Sequence, residues 1–500
     1  MSVNLFKSIM LKSLLAALKE TMEQAGSLEN SYIVGGTVRD IILKREIKDV
    51  DIAIKGNPVL LAKNFASIIR GTLIPLHDEF PTVRVVKKEW IFDFAALRGD
   101  SIESDLLSRD FTINAMAIPI SGTFEDILDV TDGRKDLLKG VVRMVSRDNL
   151  VADPLRMLRA YRFAAQLGFD IDAGTASAVS SLKGLISNSA AERIWSELKA
   201  IFSAKNSSVS VRQMVESGLL LQLIPEISSP GLSVPGDNPD KAAFGHALAV
   251  YEDAGNIIDR VNGHLPFPER FKQYLHSEAT TKGLLKLAIL LGEAGAAGTN
   301  AVGTVESICQ RFKASLKETA YLVKVLVNRP RTALLHEYTA SKRAMVELLN
   351  AVGDELYAHL IIGMAWERTK KSIHTVNQTN SVHTVNQVNY VQPAYPSGTA
   401  SQEIHTSPES QACPANINRY LNDAESLIIF YTCEYLPRAN QPRFITGKDL
   451  IEIFGLKPSP YFKKIIDEIT DGTLEGAINT REQAIEEVRL LLSEWPQARE

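Results

Sequence analysis

A glycine turn followed by a strand with two aspartates most restricts the fold of this chain of 500 residues. The apolar run 32–34 ends at Gly35 and Gly36, and the run 49–54 (DVDIAI) follows shortly after. Residues i and i+2 of a strand point to the same face. Asp49 and Asp51 are therefore predicted to project together, while the alternate apolar residues, Val50, Ile52 and Ile54, face the core.

The chemistry of this segment favours a phosphate compound with bound magnesium. Paired carboxylates suit Mg²⁺, which keeps several waters and accepts substrate phosphates as further ligands. Gly35 and Gly36 bring backbone N–H groups to a predicted helix start, where a phosphate can bind. Two metal ions beside a triphosphate predict phosphoryl or nucleotidyl transfer. A third carboxylate, Asp93, is expensive to bury unpaired in its apolar strand, so it either approaches the metals or is a salt-bridged edge residue.

Composition limits the classes of protein that the chain can belong to. Its length predicts two to four domains, and a net charge of −4 means that any site for a polyanion is a local patch. The three cysteines, Cys309, Cys413 and Cys433, are scattered and odd in number, which fits a reducing cytoplasm. No segment approaches the roughly 20 apolar residues of a membrane span, so we expect no membrane partner.

The secondary-structure pattern changes near residue 150. Strands are predicted at 31–34, 49–55, 72–77, 82–87, 90–95 and 141–145, and helices at 37–44, 58–70 and 108–118. Later segments are mostly helical, and residues 371–415 form a polar, repeat-containing stretch that we expect to be disordered. The expected class is α+β: a catalytic head with a mixed sheet and helices, followed by all-helical neck, body and tail domains. The expected ranges are 1–145, 146–235, 236–370, the insertion 371–415, and 416–500.

Two further groups of polar residues suggest nucleotide contacts. On the predicted helix 108–118, Asp110 and Asn114 share a face beside Arg109, and these side chains suit phosphate and ribose. A capped amphipathic helix is the plainer alternative. In the segment 153–163, Asp153 is a predicted N-cap with Pro154 at the first helical position. Arg156 then lies near Asp153, and the two can read the edge of a base, whereas Arg159 and Arg162 continue a basic stripe.

These motifs, in this order, resemble the class II tRNA nucleotidyltransferase and bacterial poly(A) polymerase family of the polymerase-β-like superfamily. The resemblance rests on Gly-Gly-x-Val-Arg-Asp…Asp-x-Asp at 35–51, Arg-Asp-Phe-Thr-Ile-Asn-Ala at 109–115, Asp-Gly-x-x-Asp-Leu-x-x-Gly at 132–140, Asp-x-x-Arg at 153–156, and Glu-Arg…Glu-Leu at 192–198. It is strong over residues 31–205 and loose elsewhere.

The resemblance implies template-independent addition of C, A or both, from CTP and ATP, to the 3′ end of tRNA. It also implies that the protein binds the acceptor and T arm of the tRNA. It implies that Asp49 and Asp51 bind Mg²⁺ with Asp93 nearby in the catalytic group, and that nucleotide contacts come from a larger set: Gly35, Gly36, Arg39, Arg109, Asp110, Asn114, Asp153, Arg156, Arg159 and Arg162. It also implies that the tail grips tRNA.

The sequence departs from the family pattern in three places. Ala152 replaces a glutamate before Asp153, and the span between Arg98 and Arg109 is short, which resembles enzymes that add only CC and need a separate A-adding partner. The body resembles HD-type domains: residues 245–248, with His246, lie where such domains place a metal histidine, but residues 290–295 stand in the place of their His-Asp pair without either ligand. That region is therefore expected to be a scaffold. A poly(A) polymerase and a catalytically silent RNA-binding protein remain alternatives.

Overall fold

A computed structural model describes residues 2–77, 82–228, 239–278, 281–293, 301–328, 335–379 and 415–495. The chain divides into two compact units, one of residues 1–225 with 311–314, and one of residues 226–310 with 315–500. The predicted head and most of the predicted neck therefore lie in the first unit. The expected α+β class, with a mixed sheet at the N-terminus and helices afterwards, is confirmed.

The first unit contains a seven-stranded sheet. Its strands are β1 Ser31–Val34, β2 Asp49–Ile54, β3 Thr72–His77, β4 Thr82–Lys87, β5 Trp90–Ala96, β6 Met116–Pro119 and β7 Leu128–Asp129. They run in the order β3-β4-β5-β2-β1-β6-β7. Only the β2–β5 pair is parallel among these neighbours, and it sets Asp51 opposite Asp93. A separate pair joins β8 Val141–Val142 to β9 Asp170–Ile171.

Eleven helices accompany this sheet in the part of the first unit that the structure describes. They are α1 Ser2–Gln24, α2 Gly36–Ile42, α3 Pro58–Ile69, α4 Ile102–Leu107, α5 Gly133–Lys139, α6 Arg147–Ala152, α7 Arg156–Leu167, α8 Ala173–Leu182, α9 Ala191–Ser203, α10 Ser207–Glu216 and α11 Leu219–Leu223. Short 3₁₀ turns occur at Leu28–Asn30, Thr112–Asn114, Lys183–Asn188 and Pro225–Ser228.

The core of the first unit follows from strand alternation. The residues Val50, Ile52 and Ile54, predicted to face inward, are at most 1% exposed. Phe65 of α3 packs edge-on against Phe92 of β5, with ring centroids 4.9 Å apart. Because the apolar face of β2 is fixed by this packing, its opposite face must present Asp49 and Asp51 on the other side of the sheet.

Two predicted elements differ from the structure. The predicted helix 108–118 is wrong: α4 ends at Leu107, Thr112–Asn114 is a 3₁₀ turn, and Met116–Pro119 is strand β6. The β-branched and apolar residues there pair with β1, and tertiary pairing outweighs the local helical periodicity. The predicted strand 141–145 shortens to the two residues of β8.

The second unit is helical throughout its described residues. Its helices are Pro239–Asp259, Pro268–Leu275, Thr281–Glu293, Ala301–Arg311, Leu316–Val327, Leu335–Tyr338, Lys342–Val352, Leu356–Thr379, Ala415–Phe430, Leu436–Ala439, Gly447–Glu452, Pro460–Glu475 and Arg481–Glu494, with a π-helical turn at Tyr431–Tyr435. The expected disordered insertion 371–415 is wrong in its first part, because residues 371–379 belong to the helix Leu356–Thr379. Residues 380–414 of the expected insertion lie outside the described residues. No described helix has the length and apolarity needed to cross a bilayer.

Candidate active site

A cleft of about 620 Å³ in the first unit collects the polar residues that the sequence singled out. It lies where β1, β2 and β5 meet α2, the 109–114 segment and α7. All thirteen predicted site residues line it or its turn: Gly35, Gly36, Arg39, Asp49, Asp51, Asp93, Arg109, Asp110, Asn114, Asp153, Arg156, Arg159 and Arg162. The fold thus brings together residues from four separate parts of the chain: 35–51, Asp93, 109–114 and 153–162.

The glycine turn allows the close approach of a carboxylate and a guanidinium. Gly35 has φ +68°, a conformation that side chains rarely adopt. A Cβ atom at Gly35 would lie 2.8 Å from Arg109 Nη1 and 3.5 Å from Asp51 Oδ2. The Gly35 N–H donates to the Met116 carbonyl at 3.2 Å, so this group is engaged by the sheet. A side chain here would push apart the two charged groups at the floor of the cleft.

Thr37 fixes the spacing of the paired carboxylates, and the sequence reading missed it. Its hydroxyl donates to the Asp49 carbonyl at 3.2 Å and accepts from the Asp51 N–H at 2.9 Å. This side chain is buried, so the start of α2 is tied to β2 between the two aspartates. The sequence shows a hydroxyl side chain next to the glycine pair, but only the folded structure shows that it bonds to the backbone of β2.

The aspartates crowd negative charge into one corner. Burial, together with the nearby Asp93 and Asp49 carboxylates, raises the pKa of Asp51 to about 6 against the opposing influence of Arg109 and Arg39. Asp93 does not stand free, since Arg84 donates to both of its oxygens at 2.8 Å. No group of three or more His, Cys, Asp or Glu side chains is arranged to hold a metal among the described residues.

Arginines and the side chains that accept their hydrogen bonds line the cleft next to these aspartates. Arg109 donates from Nε and Nη2 to Asp105 Oδ2 at 2.9 and 2.7 Å. Asp105 also accepts from the Arg98 N–H at 3.0 Å. Arg39 forms a bidentate pair with Asp40 and donates to Asn114 Oδ1 at 2.8 Å. Asp105 was not predicted, although its i,i+4 spacing from Arg109 was a signal for the pair.

Asp110 is the buried centre of the second group. Burial by itself raises its pKa, but Arg159 and the donors Asn114 and Phe111 N–H outweigh burial and hold the pKa of Asp110 below its ordinary value. Arg159 donates from Nε and Nη2 to Asp110 Oδ2 at 2.8 and 2.5 Å, and Asn114 Nδ2 donates to Oδ1 at 3.2 Å. The predicted proximity of Asp110 and Asn114 is present, although it comes from a 3₁₀ turn and not from a helix.

The start of α7 also differs from its prediction. The helix begins at Arg156, after a tight turn in which the Arg156 N–H donates to the Asp153 carbonyl at 3.0 Å. Asp153 is therefore not its N-cap, and its carboxylate lies 3.4 Å from Arg193 Nη2 and 4.0 Å from Arg156 Nε. Arg156 Nη1 donates to the Ser108 carbonyl at 2.9 Å. Asp153 and Arg156 stay close and face the cleft.

The aromatic ring of Phe163 lies close to three arginines of the cleft. The guanidinium carbons of Arg39, Arg159 and Arg162 lie 5.3, 5.4 and 4.4 Å from its ring centroid, within the range of cation–π attraction. Arg162 Nε lies 2.8 Å from Glu197 Oε2. Burial lowers the pKa of Arg162 and raises the pKa of Glu197, so desolvation outweighs their attraction. These three arginines line the same cleft as Asp49 and Asp51, and each of them also pairs with an acidic residue.

Comparisons with known proteins agree with this site. The model of the "Poly A polymerase head domain" matches residues 31–143, and that of the "Probable RNA and SrmB- binding site of polymerase A" matches residues 168–229. A CC-adding tRNA nucleotidyltransferase of Halalkalibacterium halodurans is 39% identical over 199 residues, 40% of this chain and 51% of the relative. The chain therefore spans about half the length of this relative.

Two broader likenesses cover nearly the whole chain. A CC-adding tRNA nucleotidyltransferase of Synechocystis sp. is 26% identical over 455 residues, which is 91% of each chain. A solved CCA-adding enzyme with ATP matches with a TM-score of 0.64 and 20% identity, over 97% of this chain and 94% of the other. At this identity the structural match establishes the fold.

Proposed function

Because the chain belongs to the class II tRNA nucleotidyltransferase and poly(A) polymerase family, we propose that it adds nucleotides to the tRNA 3′ end without a template. The RNA 3′-hydroxyl attacks the α-phosphorus of CTP or ATP in line. A new phosphodiester bond forms, the bond from the α-phosphorus to the bridging oxygen breaks, pyrophosphate leaves, and the hydroxyl proton passes to solvent. The observation that carries this proposal is the cleft in which paired aspartates face a cluster of arginines.

The aspartate pair fits a magnesium site. Its donors are hard carboxylate oxygens. The raised pKa of Asp51 reflects burial first and then the negative charge of Asp93 and Asp49, which a divalent cation would offset. Asp49 and Asp51 would hold the ion, with substrate phosphate oxygens completing its ligands. When bound, magnesium lowers the pKa of the attacking hydroxyl and neutralises charge on the leaving group. The protein side chains then act by positioning and by electrostatic stabilisation.

The arginines that line the cleft would hold the nucleotide. Arg109 beside Gly35 and Gly36, with Arg39, Arg159 and Arg162, would neutralise the triphosphate. Asp110 and Asn114, already linked to each other, would orient the ribose either directly or through these arginines. Asp153 and Arg156 would pair with the edge of the base. In this proposal the tail at 416–500 holds the body of the tRNA, and the protein acts in the cytoplasm.

Addition of CC alone is a second candidate that a specific feature favours. The span between Arg98 and Arg109 contains the capped helix α4, anchored through Asp105 to both of these residues. The carbonyls of Leu107 and Arg109 also accept from Asn149 Nδ2 at 2.8 and 2.7 Å. We infer that a segment held by these contacts would keep Arg156 facing one kind of base. The CC-adding relatives are consistent with this candidate.

The test uses tRNA transcripts that lack CCA, CA or only the terminal A, with CTP and ATP supplied singly and together. We expect two cytidines on the first transcript, and the CC-only candidate requires no labelled AMP on the transcript that lacks A. Efficient addition of A to that transcript would instead support full CCA synthesis. Long adenylate tails on unstructured RNA would support a poly(A) polymerase, and absence of incorporation on every substrate would support a silent RNA-binding protein.

Replacing Arg156 tests the assignment of base reading. Arg156→Ala is expected to lower the preference for CTP over UTP, measured as a ratio of kcat/KM values, by about 10- to 100-fold, the scale of losing one or two hydrogen bonds to a substrate. The exposed Arg134 on α5 gives the matched control Arg134→Ala, which should keep the wild-type ratio. An unchanged ratio in Arg156→Ala would refute its role.

A further inference from the structure

Arg84 and Asp93 form an ion pair at the edge of the aspartate corner that the proposed chemistry does not use. Nε and Nη2 of Arg84 each donate at 2.8 Å, one to each oxygen of Asp93. The two residues face each other in the β4–β5 register, and Asp93 faces Asp51 in the β5–β2 register. One carboxylate therefore stands between an arginine on one neighbouring strand and a proposed metal ligand on the other.

This arrangement controls how many carboxylates a cation can use. A carboxylate has about four lone-pair positions, and the bidentate fork occupies one on each oxygen of Asp93. The guanidinium also places a positive charge beside both oxygens, which opposes a second cation there. Both side chains line the cleft, and Arg84 is 35% exposed against 21% for Asp93. The pair can therefore respond to ligands in the cleft.

We propose that Arg84 is a positioning residue that withholds Asp93 from the metal site, so that a divalent cation binds firmly only together with the nucleotide triphosphate. With two protein carboxylates available, phosphate oxygens must supply further anionic ligands. A third carboxylate would let the cation bind without nucleotide, because affinity for hard cations rises with the number of charged ligands. This inference rests on the proposed function of the same site, since it assumes that Asp49 and Asp51 hold the ion.

The test measures Mn²⁺ binding by electron paramagnetic resonance with the full chain, without and with CTP. Wild type is expected to bind Mn²⁺ weakly alone and much more tightly with CTP. Arg84→Gln removes the fork and should tighten nucleotide-free Mn²⁺ binding by about tenfold, through the added carboxylate ligand. The double variant Arg84→Gln with Asp93→Asn should return to the wild-type affinity, because the released ligand is absent.

Controls separate positioning from folding and from the function itself. Arg134→Gln, at an exposed position, should leave Mn²⁺ binding unchanged, and thermal unfolding of each variant checks that the fold is retained. If Arg84→Gln binds Mn²⁺ no better than wild type, or if the gain persists in the double variant, the inference is wrong even when the wild type extends tRNA. If wild type binds no Mn²⁺ with CTP and incorporates no nucleotide, the proposed function itself fails.

Discussion

Asp51→Asn is expected to reduce nucleotide addition to tRNA by about three orders of magnitude or more, because a bound metal stabilises the transition state by several kcal/mol. The amide keeps the size and shape of the carboxylate but removes the negative charge that a divalent cation requires. Asp49→Asn is expected to act in the same direction. The measurement is single-turnover incorporation of labelled CMP into a transcript that lacks CCA, at saturating CTP.

The same variant should fold at least as well as wild type. Asp51 lies near the carboxylates of Asp93 and Asp49 in a buried setting, so removing its charge relieves repulsion. The thermal unfolding midpoint of Asp51→Asn is therefore expected to be equal or higher. Asp170→Asn, at an exposed position on β9, is the matched control for activity. Near-normal turnover by Asp51→Asn would contradict the metal assignment, and lost activity with a lowered midpoint would point to misfolding.

Arg159→Met is expected to have the largest effect on stability. It leaves the buried Asp110 carboxylate without its ion-pair partner, and breaking a buried pair in this way costs about 3–5 kcal/mol. Because a third of the Arg159 side chain is exposed, water compensates part of the loss, and we expect about 2–3 kcal/mol. The midpoint of the first urea unfolding transition, followed by far-ultraviolet circular dichroism, measures the change.

The pH dependence of this loss gives the sign of the charge effect. The pKa of Asp110 is lowered in wild type, so the pair stabilises the fold above the unfolded pKa of about 4 and less as the pH falls below it. In Arg159→Met, burial would raise the pKa of Asp110, so the penalty is full above that raised pKa. It declines as the pH falls towards the unfolded pKa of about 4, below which the carboxyl is protonated in both states. The stability difference between wild type and variant should therefore shrink between pH 7 and about pH 4.

Two variants check the origin of this effect. Asp110→Asn in the Arg159→Met background should recover much of the lost stability, since a neutral amide costs less to bury than an unpaired carboxylate. Arg134→Met, which changes an exposed arginine, should shift the midpoint by less than about 0.5 kcal/mol. A loss that stays constant from pH 7 to pH 4 would show that packing of the arginine stem, and not charge, dominates.

The strand that bears the aspartates could be predicted because its pattern is local. Val50, Ile52 and Ile54 alternate with Asp49, Asp51 and Ala53, and a period of two leaves one register for a half-buried strand. The segment 108–118 misled the same reasoning, since its apolar spacing also fits a helix. Its last residues pair with β1, and this long-range pairing has no local signature. Strand ends and short turns are decided by such partners.

The members of the site were easier to predict than their contacts. Ion pairs between distant segments, such as Arg84 with Asp93 and Arg193 with Asp153, depend on strand order and helix placement. Asp93 illustrates the limit: its apolar strand showed that a carboxylate there needs a partner, but not whether the partner is a metal or an arginine. The prediction that Asp93 belongs to the catalytic group stays a prediction, now with Arg84 as its neighbour.

The hydroxyl of Thr37 has a mechanical consequence. It bonds to the backbone of β2 on both sides of Val50, so the first turn of α2 and the acidic strand form a single rigid part. Arg156 belongs to a separate helix and is held through the Ser108 carbonyl. Under the proposed function, the acidic strand would therefore keep one position relative to α2, while the base would be held by a different helix.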